Sequence, residues 1–168
     1  MQQDVQTPTD DEKIPEGFTL SLALVDALPV AFFAAATLVF AARLDSPLFV
    51  AGAVLATVGG AGKVAWKLLL ALARKDVRWL ALQMRATMPV GFVLMIAGCV
   101  MESDGFWTLA TGLLSLPSLA FLAVTCACMV AMGWFAGHMD QQDARANWTE
   151  QLTNAAGQAC LLIAVLLA

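Results

Sequence analysis

Five long apolar runs, separated by short polar breaks, make up most of this 168-residue chain. They cover about residues 19–42, 47–72, 79–101, 106–137 and 148–168. The breaks are rich in turn formers and charge: ARLDSP, ARKDVR, ESDG and HMDQQDARAN, in that order. All but the fourth run have the ~20 residues that cross a ~30 Å hydrocarbon core. Period-two alternation is missing, and an open strand cannot satisfy its backbone in lipid, so each run predicts a helix. The expected fold class is an all-α polytopic membrane protein with about five transmembrane helices, arranged as two tandem helical hairpins plus a C-terminal helix. Residues 19–168 form one transmembrane domain in this reading. The fourth run is too long for a simple crossing, since 32 residues of straight helix would reach about 48 Å. A kink or unwound turn at Pro117 absorbs the excess. The fifth run is polar in its first half, which leaves an interfacial position as the alternative to a full crossing.

Composition agrees with the pattern. The chain is 60% hydrophobic and 13% charged, with a mean hydropathy of +0.77. A soluble domain carries about 25% charged residues. The formal net charge of −4 resides in the tail 1–18, where Asp4, Asp10, Asp11, Glu12 and Glu16 face only Lys13. That tail is expected to be disordered. It lacks the basic start of a secretory signal, so the first apolar run is retained as a span. Beyond the tail, acids and bases cancel, which excludes a basic nucleic-acid surface.

Lysine and arginine placement gives an orientation. Arg74, Lys75 and Arg78 follow the second run, Arg85 lies just inside the third, and Lys13 and Arg145 fall on the same side. Arg43 stands alone on the other. The positive-inside rule then expects a multi-pass protein of the inner membrane, N-terminus in the cytoplasm and C-terminus outside. Asn147-Trp148-Thr149 matches a glycosylation acceptor but falls on the cytoplasmic side, so it carries no weight.

The candidate chemistry centres on residues 59–72, GGAGKVAWKLLLAL, where Lys63 and Lys67 sit one turn apart inside an apolar span. Ionisable residues at such depth mark functional sites by default. Depths from a rise of about 1.5 Å per residue put Asp26 about 10 Å and Lys63 about 13 Å from the cytoplasmic ends of their spans. Lys63 is thus expected to pair with Asp26, and the shallower Lys67 to snorkel to the interface. Gln83 and Arg85 belong to the same half, and Asn147, Glu150, Asn154 and Gln158 form one helical stripe on the fifth run. The opposite halves of the spans contain almost nothing polar, so a continuous aqueous pore is not expected. The pattern predicts a pocket open to the cytoplasm or inner leaflet, with Lys63, Asp26, Glu150, Asn154, Gln158 and Arg85 as ligand-binding residues. Lys63, Lys67 and Arg85 outnumber Asp26 and Glu150, which favours an anionic or zwitterionic solute or lipid. Lys63 is the expected charge anchor, Asp26 its counter-ion and Glu150 a proton-titrating partner.

Each feature also has a plainer reading. Lys63 and Asp26 can be a structural ion pair, Arg85 a topology signal, and the stripe interhelical glue. Gly59-Gly60 aligns with the Ser115–Ser118 stretch as a paired interruption of two spans, a pointer to a substrate site in transporters. Packing glycines give the same sequence. GGAGK lacks the spacing and the Ser/Thr of a P-loop, although a glycine-rich turn before Lys63 would offer backbone donors at a helix N-terminus. Cys99, Cys126, Cys128 and Cys160 read as small buried hydrophobes, and one histidine, His138, gives no metal or haem set. No cofactor is expected. Trp66, Trp79, Trp107 and Trp148 suit interfacial anchoring.

The leading expectation is binding or translocation of a small solute or lipid. One alternative is a non-catalytic assembly or regulatory subunit. Another is an intramembrane lipid-modifying enzyme using Asp26 or Glu150 as acid/base, with Lys63 or Arg85 on a phosphate. The spans lack the histidines, metal set or paired carboxylates that such chemistry uses. Five spans are few for a complete transporter, so a homo-oligomer or a partner membrane subunit is expected in the bilayer.

Overall fold

A computed structural model describes residues 20–75, 77–139 and 144–168. The acidic tail 1–18 and most of the polar stretch before residue 144 lie outside them. The described residues form seven helices in chain order: α1 (Leu20–Leu44), α2 (Pro47–Ala73), α3 (Arg78–Leu82), α4 (Met84–Met101), α5 (Ser103–Leu113), α6 (Ser118–His138) and α7 (Ala144–Leu167). Helices α3 and α4 join through a turn at Gln83 into one span, Arg78–Met101. With α1, α2, α6 and α7 this makes five helices long and apolar enough to cross a membrane. The protein is an all-α, multi-pass integral membrane protein.

The fourth apolar run divides as its length requires. It breaks between α5 and α6 at Leu114–Pro117, leaving a separate 11-residue helix before the span proper. The fifth run is a continuous 24-residue helix, and it packs between α1 and α6 along its length.

The spans stand in a row, α4–α2–α1–α7–α6, each packed on its neighbours. Helices α1 and α2 form an antiparallel hairpin through a short turn. Asp45 takes a left-handed φ of 52°, which a short polar side chain tolerates, and the Ser46 hydroxyl accepts from Phe49 N with Pro47 at the first helical position. The second hairpin expected from sequence does not form in this way. The third span joins α2 at one flank of the row, and the fourth joins α7 at the other. Helix α5 crosses one end of the row, touching α1, α4, α6 and α7. Its Leu109 and Phe106 close over a core of Ala41, Leu44, Phe49 and Ala53, where the Phe40 and Phe49 rings stack at 5.0 Å.

Helix α2 meets α4 across a seam of glycines. A methyl on Gly52 would sit 2.5 Å from the Gly91 carbonyl oxygen and 2.7 Å from Met95 N. One on Gly91 would sit 2.9 Å from Ala56 N, and one on Gly98 2.6 Å from Phe49 N. The glycines recur at seven-residue spacing, 52 and 59 on α2, 91 and 98 on α4. That spacing keeps small residues on one contact line and lets the backbones approach closely.

Candidate functional site

The run GGAGK is helical throughout, inside the unbroken α2. No turn precedes Lys63, so the expected anion-binding helix N-terminus is absent there, and Gly59-Gly60 does not interrupt the span. Each glycine instead makes room for a different neighbour. A side chain on Gly59 would strike the Thr87 hydroxyl, one on Gly60 would sit 3.0 Å from Val30 of α1, and one on Gly62 would strike the Gln83 carboxamide. Gln83 uses that slot to donate from Nε2 to the carbonyls of Val58 and Gly59, 3.4 Å each. The stretch is a junction at which α2 receives α1 on one face and the α3–α4 span on another.

The junction decides which lysine is buried. Gly60 faces α1, and Lys67 lies seven residues on, two turns along the same face. Asp26 is six residues into α1 and Lys67 six residues before the end of α2, so both lie about 9 Å from that end of the antiparallel pair. Their side chains meet: Lys67 Nζ stands 3.1 Å from Asp26 Oδ2, and the two are 5% and 6% exposed. Lys67 therefore does not snorkel to the interface, and Asp26 pairs with Lys67 instead of Lys63. Lys63, three residues past Gly60, falls between the faces that meet α1 and α4 and is half-buried. It still acts electrostatically on the Lys67 ammonium, as does Glu150 of α7.

Helix α7, packed on α1, brings further polar side chains to this end. Asn147, Glu150 and Gln151 are buried in its first two turns, and Asn154 and Gln158 are half-buried further along. Gln151 was not legible as a site residue because it falls beside the stripe 147, 150, 154, 158; its spacing of four from Asn147 was the available signal. Pro29, buried in α1, removes the N–H that would bond the Val25 carbonyl, which adds an acceptor one residue from Asp26. The carboxamide oxygens Gln151 Oε1 and Gln158 Oε1 are buried without a hydrogen-bond partner. Thr125 of α6 donates to Gly157 O at 3.1 Å and to its own Phe121 O at 3.1 Å, tying α6 to α7.

Arg85 does not join this cluster. It is exposed on α4, which packs chiefly on α2 and meets α1 farther along, where the Phe92 ring stands edge-on to Phe33 at 6.0 Å. The structure thus brings Asp26 and Glu150 together with Lys67 and Lys63 at one end of the row, two acids with two bases. The other end is differently made. Arg43 there donates to Val165 O at 2.8 Å and Leu166 O at 3.5 Å, satisfying the last carbonyls of α7. A cavity of about 310 Å³ between α1 and α2 in that half is lined by Ala34, Thr37, Ala41, Val50, Ala53 and Thr57 among others, and Thr37 spends its hydroxyl on Phe33 O and Ala34 O. Among the described residues, no three His, Cys, Asp or Glu side chains come together as a metal site. No family model, curated protein or solved structure matches this chain, so the chemistry of the site rests on its own residues.

Proposed function

We propose that the Asp26–Lys67–Glu150 cluster is the binding site of a membrane-embedded carrier or receptor for a small zwitterionic solute or lipid headgroup. The observation that carries this reading is the buried Lys67–Asp26 pair at 3.1 Å, set within an apolar bundle. Desolvating two charges costs several kcal/mol, and apolar replacements of such pairs are often as stable or more so. Helix α2 already associates with α4 through glycines and no charge at all, so association alone gives no reason to keep the pair. With Arg85 outside, the cluster is balanced, which matches a ligand bearing one positive and one negative group. Such a ligand exchanges partners with the pair: its anionic group takes Lys67 and its ammonium takes Asp26. Lys63 supplies a second cation one turn away, and Glu150 a second acid from α7. Asn154 and Gln158 line the way deeper along α7. The orientation from the positive-inside rule opens this end toward the cytoplasm of an inner membrane.

The test is thermal stability of the purified protein in detergent against free amino acids and phosphocholine. At least one such zwitterion is expected to raise the midpoint of the wild type and leave Asp26→Leu/Lys67→Met unshifted. A panel that shifts neither protein, or both alike, removes the cluster as the site.

A second reading is favoured by the buried, unpartnered Gln151 Oε1 and Gln158 Oε1. Acceptors of this kind suit an assembly subunit whose polar stripe completes its hydrogen bonds on a helix of another chain. That subunit would co-purify with a fixed partner and lose stability without it.

A further inference from the structure

A second charged feature lies at the same end of the row and takes no part in the buried cluster. Arg74, Lys75, Arg78 and Arg85 are all exposed, and they fall within twelve residues of sequence against one acid, Asp76. None of the four makes an ion pair among the described residues. Their placement is fixed by local structure. Arg74 ends α2 in a left-handed conformation, φ 51°, turning the chain sharply into the connection. Gln83, seated against Gly62, then pins the start of the third span to α2. On that span Arg78, Leu82 and Arg85 follow at intervals of four and three, so two guanidinium groups flank an apolar side chain along one face. Their spacing along the axis is about 10 Å. Trp79, adjoining this face, is 71% exposed, and Val77 and Leu82 are exposed beside it.

Cations interleaved with outward apolar side chains are what a headgroup and its acyl chains meet together. Guanidinium groups match phosphate bidentately, and tryptophan settles at headgroup depth. The opposite end carries the reverse charge: Asp45, Glu102 and Asp104 are exposed there, while Arg43 is occupied by α7 carbonyls. We propose that the ledge formed by Arg74, Arg78, Trp79, Leu82 and Arg85 is a binding site for an anionic phospholipid, the guanidinium groups holding the phosphate and Trp79 with Leu82 the start of its chains. The site stands independently of the zwitterion reading, because it shares no residue with the buried cluster.

Native mass spectrometry of the full-length protein released from nanodiscs tests it. The discs contain phosphatidylcholine mixed with phosphatidylglycerol, and the readout is the lipid retained. Wild type is expected to retain phosphatidylglycerol several-fold over phosphatidylcholine. Arg78→Gln/Arg85→Gln, whose side chains are exposed, should lose that preference while keeping the wild-type helical content and melting midpoint. Trp79→Ala, with no change in charge, should reduce retention at least twofold. Equal retention by wild type and the double variant overturns the site. So does an undiminished preference in Trp79→Ala, since that is the behaviour of diffuse charge attraction. Displacement of the lipid by millimolar inorganic phosphate also overturns it, as the ledge is then an anion site without a lipid component.

Discussion

Helix α2 meets its two neighbours by opposite means. Toward α4 it offers Gly52, where a single methyl would overlap the facing Gly91 carbonyl and Met95 amide, and Gly59, where one would strike the Thr87 hydroxyl. Toward α1 it offers Gly60 and, two turns on, Lys67, and the contact is an ion pair. Lipid removes the hydrophobic incentive for helices to associate, leaving close packing and polar contacts as the two remaining forces. One helix uses both, on faces about a quarter turn apart. On the α4 side close packing is joined only by neutral hydrogen bonds, from Gln83 to Val58 and Gly59 and from Ser46 to Gly98, so the charge on the α1 side calls for a separate explanation.

The largest effect is expected from splitting the ion pair. Lys67→Met leaves the Asp26 carboxylate buried without its cation and should cost about 3–5 kcal/mol of stability, read by thermal or denaturant unfolding in detergent. Lys63→Met, half-buried and outside the pair, should cost far less. Next comes the glycine seam. Gly98→Ala places a methyl 2.6 Å from Phe49 N, where only a backbone shift relieves the contact, and should cost about 1–3 kcal/mol. A smaller loss, about 0.6 kcal/mol, is expected for Thr125→Val, which removes the hydroxyl tie between α6 and α7. Gly133→Ala sharpens the contrast by its sign. Nothing lies within 4 Å of the added methyl, so ordinary helix propensity should make this variant more stable by about 0.5–1 kcal/mol. A seam glycine and a lipid-facing glycine thus move stability in opposite directions.

The membrane class and the five spans were legible because hydropathy and length are properties of one segment at a time. The break before Ser118 was legible for the same reason, since 32 residues overfill the bilayer. Pairing across helices was not. Depth placed Asp26 between Lys63 and Lys67, and only the rotation of α2, set by which glycine faces which neighbour, chose Lys67. The same rotation turned GGAGK from an interruption of the helix into a packing junction. Arg85 sat at a suitable depth, but its span packed on the glycine face of α2 and left its side chain exposed. The row order itself follows from long-range contacts: nothing in the turn ESDG tells the third span to leave the fourth and pack on α2. Gln151 was missed because two overlapping stripes on one helix cannot be ranked until the neighbours of that helix are known.

A double-mutant cycle in detergent bears most directly on the Asp26–Lys67 pairing. Asp26→Leu is combined first with Lys67→Met and then with Lys63→Met, and unfolding free energies are compared. The structure predicts a coupling of about 3 kcal/mol for Asp26 with Lys67, and less than about 0.5 kcal/mol for Asp26 with Lys63. Coupling to Lys63 as large as that to Lys67, or to neither, would contradict the pairing on which the proposed binding site is built.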